Sequence, residues 1–302
     1  MAEPLTYHVV DVFTDRPFAG NPLAVVLGAD DVPTAGLQAL AREFHLSETA
    51  FPLPPSAAER AAGADYRVRI FTPEVELPFA GHPSVGTAWL LAHLGRLPAG
   101  QVRQACGAGV VTLEVAAGGG PVELTGAAPT CGHPVDPAPL LAAVGLEPAD
   151  LAGPRPRVAG TGIGFAHLAV RPGSLARCAP DPGLLRAFSH PAGAATGVYV
   201  VEWPAAGHPV RARMFAGDVG VPEDPATGSA ALGLAVWAVA EGLVAADGES
   251  AFTVVQGVEL GRPSTLRCRV DAVGGAAVRA RVAGGVVPVA QGRIAVPPAP
   301  AG

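Results

Sequence analysis

A repeat at about half the length of the chain limits what this sequence can fold into more than any other feature. The segment RIF at 69–71 recurs as RMF at 213–215, and Trp89 recurs as Trp237 at nearly the same spacing. Each copy combines an alternating strand, a turn and an apolar helical segment. In a chain of 302 residues this pattern predicts two domains of one fold. Chance similarity between two alternating strands is the alternative explanation.

Each half also contains a helical segment with almost no polar surface. These segments run from about 83 to 93 and from about 228 to 241, and they are rich in Ala, Leu, Val and Trp. A helix that is apolar on all sides must be buried, so we expect a curled sheet wrapped around each one. Segments 34–44 and 137–144 have amphipathic patterns that predict outer helices. The expected fold class is therefore α+β, with one central helix in each half.

Turn-forming residues mark the middle of the chain. Gly and Pro cluster at 118–120 and again within 125–137. We therefore expect an N-terminal domain of residues 1–122 and a C-terminal domain of residues 123–302. A C-terminal strand can still cross back to the first domain.

All 20 basic residues are Arg, and the lack of Lys excludes several kinds of chemistry. Without Lys the chain cannot form a pyridoxal phosphate Schiff base, use a Lys nucleophile or build a P-loop. The four cysteines lie far apart in the sequence and no close cluster of His residues occurs, so little supports a metal site. Catalysis is therefore expected from carboxylates, His, hydroxyl groups and backbone groups.

The distribution of charged and apolar residues predicts a soluble, cytoplasmic protein. The formal net charge is −6 at pH 7, and no basic stripe is present that would follow a nucleic-acid backbone. The longest apolar stretch, 230–240, is too short to span a bilayer, so we expect no membrane insertion. The residues after Met1 lack a basic segment followed by an apolar one, so we expect no signal peptide.

Both apolar helices begin with unusual turns. The first follows FAGHPS at 79–84, and the second follows EDPATGS at 223–229. The first amides of a helix lack intrahelical partners, and together with the helix dipole they form an anion site. If the two domains face each other, both helix starts converge on one cleft that binds a carboxylate without Lys. Alternatively, Asp224 and Thr227 simply cap the second helix.

Glu48 is the candidate general base. It lies in SETAF at 47–51, after an amphipathic helix and at the start of an apolar strand. In a cleft, burial would raise the pKa of its carboxyl toward neutrality, so that it could accept a proton from carbon and return it elsewhere. A solvated Glu at the start of a strand is the alternative. Arg213 and Gln256 are further candidates, although alternation places Arg213 on the solvent face of its strand.

These segments occur together in the order typical of the PhzF-like family, which is named for phenazine biosynthesis. The chain resembles that family nearly from end to end. One such motif is weak support, whereas the ordered set is specific. The segments that carry the resemblance are DVFT at 11–14, GNPLAVV at 20–26, SETAF at 47–51, FAGHPSVGTA at 79–88, EDPATGSA at 223–230, QG at 256–257 and GRPS at 261–264.

The resemblance implies a fold like that of diaminopimelate epimerase. Such a fold has two pseudo-symmetric domains, each a barrel-like, mostly antiparallel sheet wrapped around a central helix. The resemblance also implies a homodimer that uses no metal and no organic cofactor. The best-known reaction of the family isomerises trans-2,3-dihydro-3-hydroxyanthranilate. It moves a proton between ring carbons and leaves an enol that becomes a ketone.

By the same resemblance, Glu48 is the proton shuttle, while His82 and Asp224 polarise and orient the polar groups of the substrate. Ser229 and nearby backbone amides hold the substrate carboxylate. The substrate-binding residues that the resemblance implies are Gly81, Ser84, Thr227, Gly228 and Ser229.

Related epimerases and racemases use two cysteines, one at each helix start, and here those positions hold Ala80 and Thr227. Two-base racemisation therefore lacks both acids, and a single shuttle such as Glu48 fits better. The leading hypothesis is a cofactor-independent isomerase that acts on a small unsaturated carboxylic acid in specialised-metabolite biosynthesis. The alternatives are another proton transfer, such as diene isomerisation or epimerisation, and a non-catalytic binder of small organic acids.

Overall fold

The computed structural model describes residues 3–189, 195–205, 207–217 and 222–298. Strands and helices alternate through the first half of the chain. Its elements are β1 (Leu5–Val12), β2 (Asn21–Leu27), α1 (Thr34–Phe44), β3 (Glu48–Leu53), α2 (Ala57–Ala61), β4 (Tyr66–Phe71), β5 (Glu76–Leu77), α3 (Gly81–His93), β6 (Gly100–Cys106), β7 (Gly109–Val115) and β8 (Val122–Thr125).

The second half contains a similar succession of strands and helices. Its elements are β9 (Thr130–Pro134), α4 (Pro137–Ala143), β10 (Arg157–Gly160), β11 (Gly164–Ala169), α5 (Pro182–Ser189), β12 (Val198–Glu202), β13 (Val210–Phe215), β14 (Glu223–Asp224), α6 (Gly228–Ala240), β15 (Gly248–Gln256), β16 (Ser264–Val273), β17 (Ala276–Gly284) and β18 (Val286–Ile294). The similar succession runs from β10 onward and is preceded by β9 and α4, and the described residues contain no counterpart of α2 there. The predicted outer helices at 34–44 and 137–144 correspond to α1 and α4.

Two compact units make up the chain. The first comprises residues 1–124 together with 283–302, and the second comprises residues 125–282. Strand β18 belongs to the first unit, where it pairs antiparallel with β1. Compact units are not the same as domains, so the domain boundary at 122/123 that the sequence predicts stays a prediction.

Strand pairing is the same in both units. In the first unit β1 pairs antiparallel with β2, β2 parallel with β3, β3 antiparallel with β4, and β4 parallel with β6. In the second unit β10, β11, β12, β13 and β15 pair in the same senses. Parallel neighbours need a crossover connection, and here α1, α3, α5 and α6 lie in those connections. The sequence repeat therefore corresponds to a repeated α+β fold.

The helices α3 and α6 are the centres of the two units. Helix α3 packs against β1, β2, β3, β7 and β18, and α6 packs against β9, β10, β11 and β16. Residues 81–91 of α3 and 228–239 of α6 are all buried. The prediction of one buried apolar helix in each half is confirmed. Helix α6 lies so close to β10 that a Cβ at Gly233 would be 2.6 Å from the Ala159 carbonyl oxygen.

Within the described ranges, no helix is long and apolar enough to cross a membrane. The two central helices have 13 residues each. A membrane span needs about 20 predominantly apolar residues, so even these helices are well short of that length.

A neutral histidine lies in the core of the second unit. His167 is fully buried, stacks on Trp237 with ring centroids 6.0 Å apart, and places Nε2 3.3 Å from the Ala159 carbonyl oxygen. Burial lowers the pKa of His167 from 6.5 to about 3. The unfolded chain therefore binds a proton between those pH values that the folded chain does not bind, so acid destabilises the fold.

We expect the variant His167→Phe to lose part of this acid sensitivity. Between about pH 4 and pH 6, one such histidine makes the free energy of unfolding rise by about 1.4 kcal/mol per pH unit, and the variant should lack that contribution. Urea unfolding at several pH values measures the slope. His133→Gln, which removes an exposed imidazole, is the control. An unchanged slope in His167→Phe would show that this residue is not the acid-sensitive group.

Candidate active site

In the first unit, Glu48 and His82 lie side by side. Glu48 is the first residue of β3, and His82 lies in the first turn of α3. Glu48 Oε2 is 3.5 Å from His82 Nε2, and the two side chains are 15% and 3% exposed. The alternative of a solvated Glu48 is therefore wrong, because most of its side chain is buried beside an imidazole ring.

His82 is neutral in this arrangement. Burial lowers the pKa of its ring from 6.5 to about 3, even though a carboxylate is close by. The contact with Glu48 is therefore not an ion pair. Residues 21 and 22 hold the other side of the ring: Asn21 Nδ2 lies 3.2 Å from His82 Nδ1, and a hydrogen bond to the Pro22 backbone partly offsets the lowering of the pKa by burial. His82 Nε2 faces the Glu48 carboxylate but makes no hydrogen bond to it.

Ser84 connects the start of α3 to the sheet. Its hydroxyl donates to the Ala80 carbonyl oxygen at 2.9 Å and accepts from Gln104 Nε2 at 2.8 Å. Tyr66 in turn donates its hydroxyl to Gln104 Oε1 at 2.8 Å. The hydroxyl proton of Ser84 is thus used within the protein, and a role of Ser84 in substrate binding stays a prediction.

In the second unit, the start of α6 brings Asp224, Thr227 and Ser229 together, and each is less than 10% exposed. The Thr227 hydroxyl donates to Asp224 Oδ2 at 2.6 Å. Thr227 occupies the N-cap position of α6, but its side chain makes no capping hydrogen bond. The amides of the first turn, including those of Gly228 and Ser229, therefore retain the anion-binding capacity of a helix start.

Gln256, the last residue of β15, organises that turn. Its Nε2 donates to the Asp224 backbone oxygen at 2.7 Å and to Thr227 Oγ1 at 3.0 Å. Its Oε1 accepts the Tyr199 hydroxyl at 2.9 Å and the Thr227 amide at 3.3 Å. Neither this role of Gln256 nor the matching role of Gln104 was predicted from the sequence. Strand alternation could have indicated that both side chains point inward, because each lies two positions after a buried Val on its strand.

Arg213 differs from the sequence-based expectation. It was predicted on the solvent face of its strand, but the structure buries it, with 8% of the residue exposed. Its guanidinium donates to both carboxylate oxygens of Glu223 at 2.7 Å and to the Leu175 backbone oxygen at 2.8 Å. The chain around Leu175 covers this side of the strand, a tertiary contact that alternation cannot reveal. The expectation is therefore wrong.

The second unit has no carboxylate at the position that corresponds to Glu48. Thr49 of β3 pairs with Phe71, and Val198 of β12 pairs with Phe215 in the matching register. The residue before Thr49 is Glu48, and the residue before Val198 is Gly197. A Cβ at Gly197 would lie 2.4 Å from the Phe215 backbone oxygen, so no side chain fits there. At this position of the repeat, the first unit has a carboxylate and the second unit has a glycine.

The predicted site residues fall into two groups, one in each unit. Glu48, Gly81, His82 and Ser84 form the first group, and Asp224, Thr227, Gly228 and Ser229 form the second. Across the residues that the structure describes, no group of three or more His, Cys, Asp or Glu side chains is placed to hold a metal ion. The individual roles assigned to these residues stay predictions.

Comparison with known proteins places this geometry in a family context. The family described as phenazine biosynthesis-like protein matches residues 10–292. An uncharacterised isomerase of Mesorhizobium japonicum is 37% identical over 310 residues, covering 95% of this chain and 98% of that protein. A trans-2,3-dihydro-3-hydroxyanthranilate isomerase of Pseudomonas aeruginosa is 33% identical over 305 residues, again covering 95% of this chain and 98% of that protein.

A solved structure shares the fold over the whole length. The crystal structure of a PhzF-family phenazine biosynthesis protein from Bacillus anthracis superposes with a TM-score of 0.84. The match covers 98% of this chain and 100% of that chain at 24% sequence identity. It confirms the expected fold of two pseudo-symmetric halves, each with a barrel-like sheet around a central helix.

Proposed function

Because the chain belongs to the phenazine biosynthesis-like protein family and is an isomerase, we propose that it moves a proton between two carbon atoms of a small unsaturated carboxylic acid. The observation that carries this proposal is the single buried pair of Glu48 and neutral His82, with Gly197 at the corresponding position of the other half. A single base can return a proton only to the face of the substrate from which it took it, so this arrangement suits an isomerisation on one face.

In the proposed reaction, the Glu48 carboxylate takes a proton from an sp³ carbon next to the conjugated system. The electron pair of the broken C–H bond moves into that system, and the bonding pair of the distal double bond becomes available at another carbon. Glu48 then returns the proton there, so atoms and charge balance and no cofactor is consumed. The neutral His82 ring, with Nε2 3.5 Å from Glu48 Oε2, limits the orientations of the carboxylate through both steps by packing against it.

The start of α6 supports a carboxylate in the substrate. Gly228 and Ser229 present first-turn amides at the positive end of a helix dipole, and the chain contains no Lys that could do this instead. Asp224 would accept a hydrogen bond from a polar group of the substrate, such as an amino or hydroxyl group. These features fit trans-2,3-dihydro-3-hydroxyanthranilate, which combines a carboxylate, an amine, a hydroxyl group and a diene.

NMR in deuterated water tests the proposal. Incubation of trans-2,3-dihydro-3-hydroxyanthranilate with the protein should give the isomerised ketone, with solvent deuterium at the carbon that receives the proton. Glu48→Gln should give neither conversion nor deuterium. Conversion of a different unsaturated acid, with this compound untouched, would keep the proton transfer and replace the substrate. Ligand binding without exchange in any unsaturated acid would instead support a binding protein.

A further inference from the structure

Four side chains at the start of α6 form a chain of hydrogen bonds that runs in one direction. The Tyr199 hydroxyl donates to Gln256 Oε1 at 2.9 Å, and Gln256 Nε2 donates to Thr227 Oγ1 at 3.0 Å. The Thr227 hydroxyl then donates to Asp224 Oδ2 at 2.6 Å. All four residues are buried, so these bonds form where water competes little.

The direction of this chain is fixed at Gln256, whose amide meets one backbone donor and one backbone acceptor. Burial raises the pKa of Tyr199 well above its usual value of 10, so its hydroxyl remains a donor at every physiological pH. The Thr227 backbone N–H can only donate, so it requires Oε1 of Gln256, and the Asp224 backbone oxygen can only accept, so it requires Nε2. Tyr199 therefore meets Oε1, and Nε2 faces Thr227. Since Thr227 Oγ1 accepts from that nitrogen, its only proton is available for Asp224.

The first unit contains a similar chain with a different end. Tyr66 donates to Gln104, Gln104 to Ser84, and Ser84 to the Ala80 backbone oxygen. That chain ends on a neutral carbonyl and fixes only the backbone at the start of α3. In the second unit the same construction ends on a carboxylate. Hydrogen bonds donated to a carboxylate favour its charged form and limit its orientations.

We propose that Gln256 and Tyr199 are positioning residues, which act through Thr227 to hold Asp224 charged and in one orientation toward the substrate. This inference rests on the proposed function of Asp224 as a group that contacts the substrate. Gln256 and Tyr199 themselves do not contact the reacting atoms. Their effect reaches Asp224 through the Gln256–Thr227 and Thr227–Asp224 hydrogen bonds, so it depends on the carboxylate at residue 224.

Two variants alter the chain without removing its bulk. Tyr199→Phe keeps the ring and removes one of the two donors to Gln256 Oε1. Gln256→Glu keeps the shape but replaces the nitrogen that donates to Thr227 with an acceptor, so the Thr227 hydroxyl is drawn away from Asp224. With trans-2,3-dihydro-3-hydroxyanthranilate, we expect kcat to fall about 3- to 10-fold in the first variant and about 10- to 100-fold in the second. KM should change less than kcat.

A double-mutant cycle with Asp224→Asn separates positioning from a purely structural role. In that background, either change should lower kcat by less than about 3-fold, because the charged end of the chain is already gone. Equal factors in both backgrounds, or an unchanged kcat in the single variants, would overturn the inference. Urea unfolding confirms that each variant is folded at the assay temperature.

A second readout does not depend on turnover. If the wild-type protein converts neither this substrate nor another unsaturated acid, the proposed reaction fails, and the inference is judged on binding of the aromatic analogue 3-hydroxyanthranilate. Tyr199→Phe, which leaves the charge unchanged, should then weaken binding at least 3-fold in the wild-type background and have no effect with Asp224→Asn. Equal weakening in both backgrounds, or no binding by the wild type, would overturn the inference as well.

Discussion

Replacement of Glu48 by Gln is expected to lower turnover by about 100- to 10,000-fold while ligand affinity stays within about 3-fold. Gln has nearly the same shape and fits beside the His82 ring, but it cannot take a proton from carbon at neutral pH. Steady-state kinetics with trans-2,3-dihydro-3-hydroxyanthranilate, together with binding of 3-hydroxyanthranilate, separates the two effects. Glu114→Gln removes an exposed carboxylate and controls for the loss of one negative charge.

Two further variants test the placement of the Glu48 carboxylate and the charge state of the His82 ring. Glu48→Asp keeps the carboxylate but withdraws it by one methylene group, which should cost about 100-fold in kcat. Because His82 is already neutral, His82→Gln should lower kcat without removing any limb of the pH–rate profile near pH 6.5. Wild-type rates in Glu48→Gln would assign proton transfer to another group. A limb near pH 6.5 that disappears in His82→Gln would show that the ring is charged during turnover.

Much of the fold was predictable because it depends on local patterns. The helix around Trp89 and the helix around Trp237 carry so few polar residues that only burial on all sides accommodates them. The spacing of the two copies then predicted a repeated fold. The alternating strand of the first copy also has this pattern in the structure, where Tyr66, Val68 and Ile70 are buried.

The site was predictable only in part, because its contacts join distant parts of the sequence. Asn21 and His82 are 61 residues apart, and Tyr199 and Gln256 are 57 residues apart. No periodicity reveals such partners. The asymmetry between Glu48 and Gly197 was equally hidden, since it emerges only when the registers of β3 and β12 are compared. Family motifs pointed to Glu48, His82 and Asp224, whereas their supporting hydrogen bonds required the structure.

The repeat places an Arg–Glu pair at the same position in both units, so one pair serves as the control for the other in a test of stability. Arg69 pairs with Glu76 and Arg213 pairs with Glu223, each through two short hydrogen bonds and each beside a Phe ring. Their surroundings differ. The side chains of Arg213 and Glu223 are 10% and 13% exposed, whereas those of Arg69 and Glu76 are 18% and 39% exposed. The same chemistry is therefore present at two levels of burial.

Arg213→Met should lower the free energy of unfolding by about 3 to 5 kcal/mol, because it leaves the Glu223 carboxylate buried without its cation. Arg69→Met should cost about 1 kcal/mol or less, since water solvates Glu76 once the pair is broken. Urea unfolding at pH 7 measures both. Adding Glu223→Met to Arg213→Met should recover part of the loss, because the stranded charge is then removed. Equal losses from the two Arg variants would mean that burial does not set the strength of these pairs.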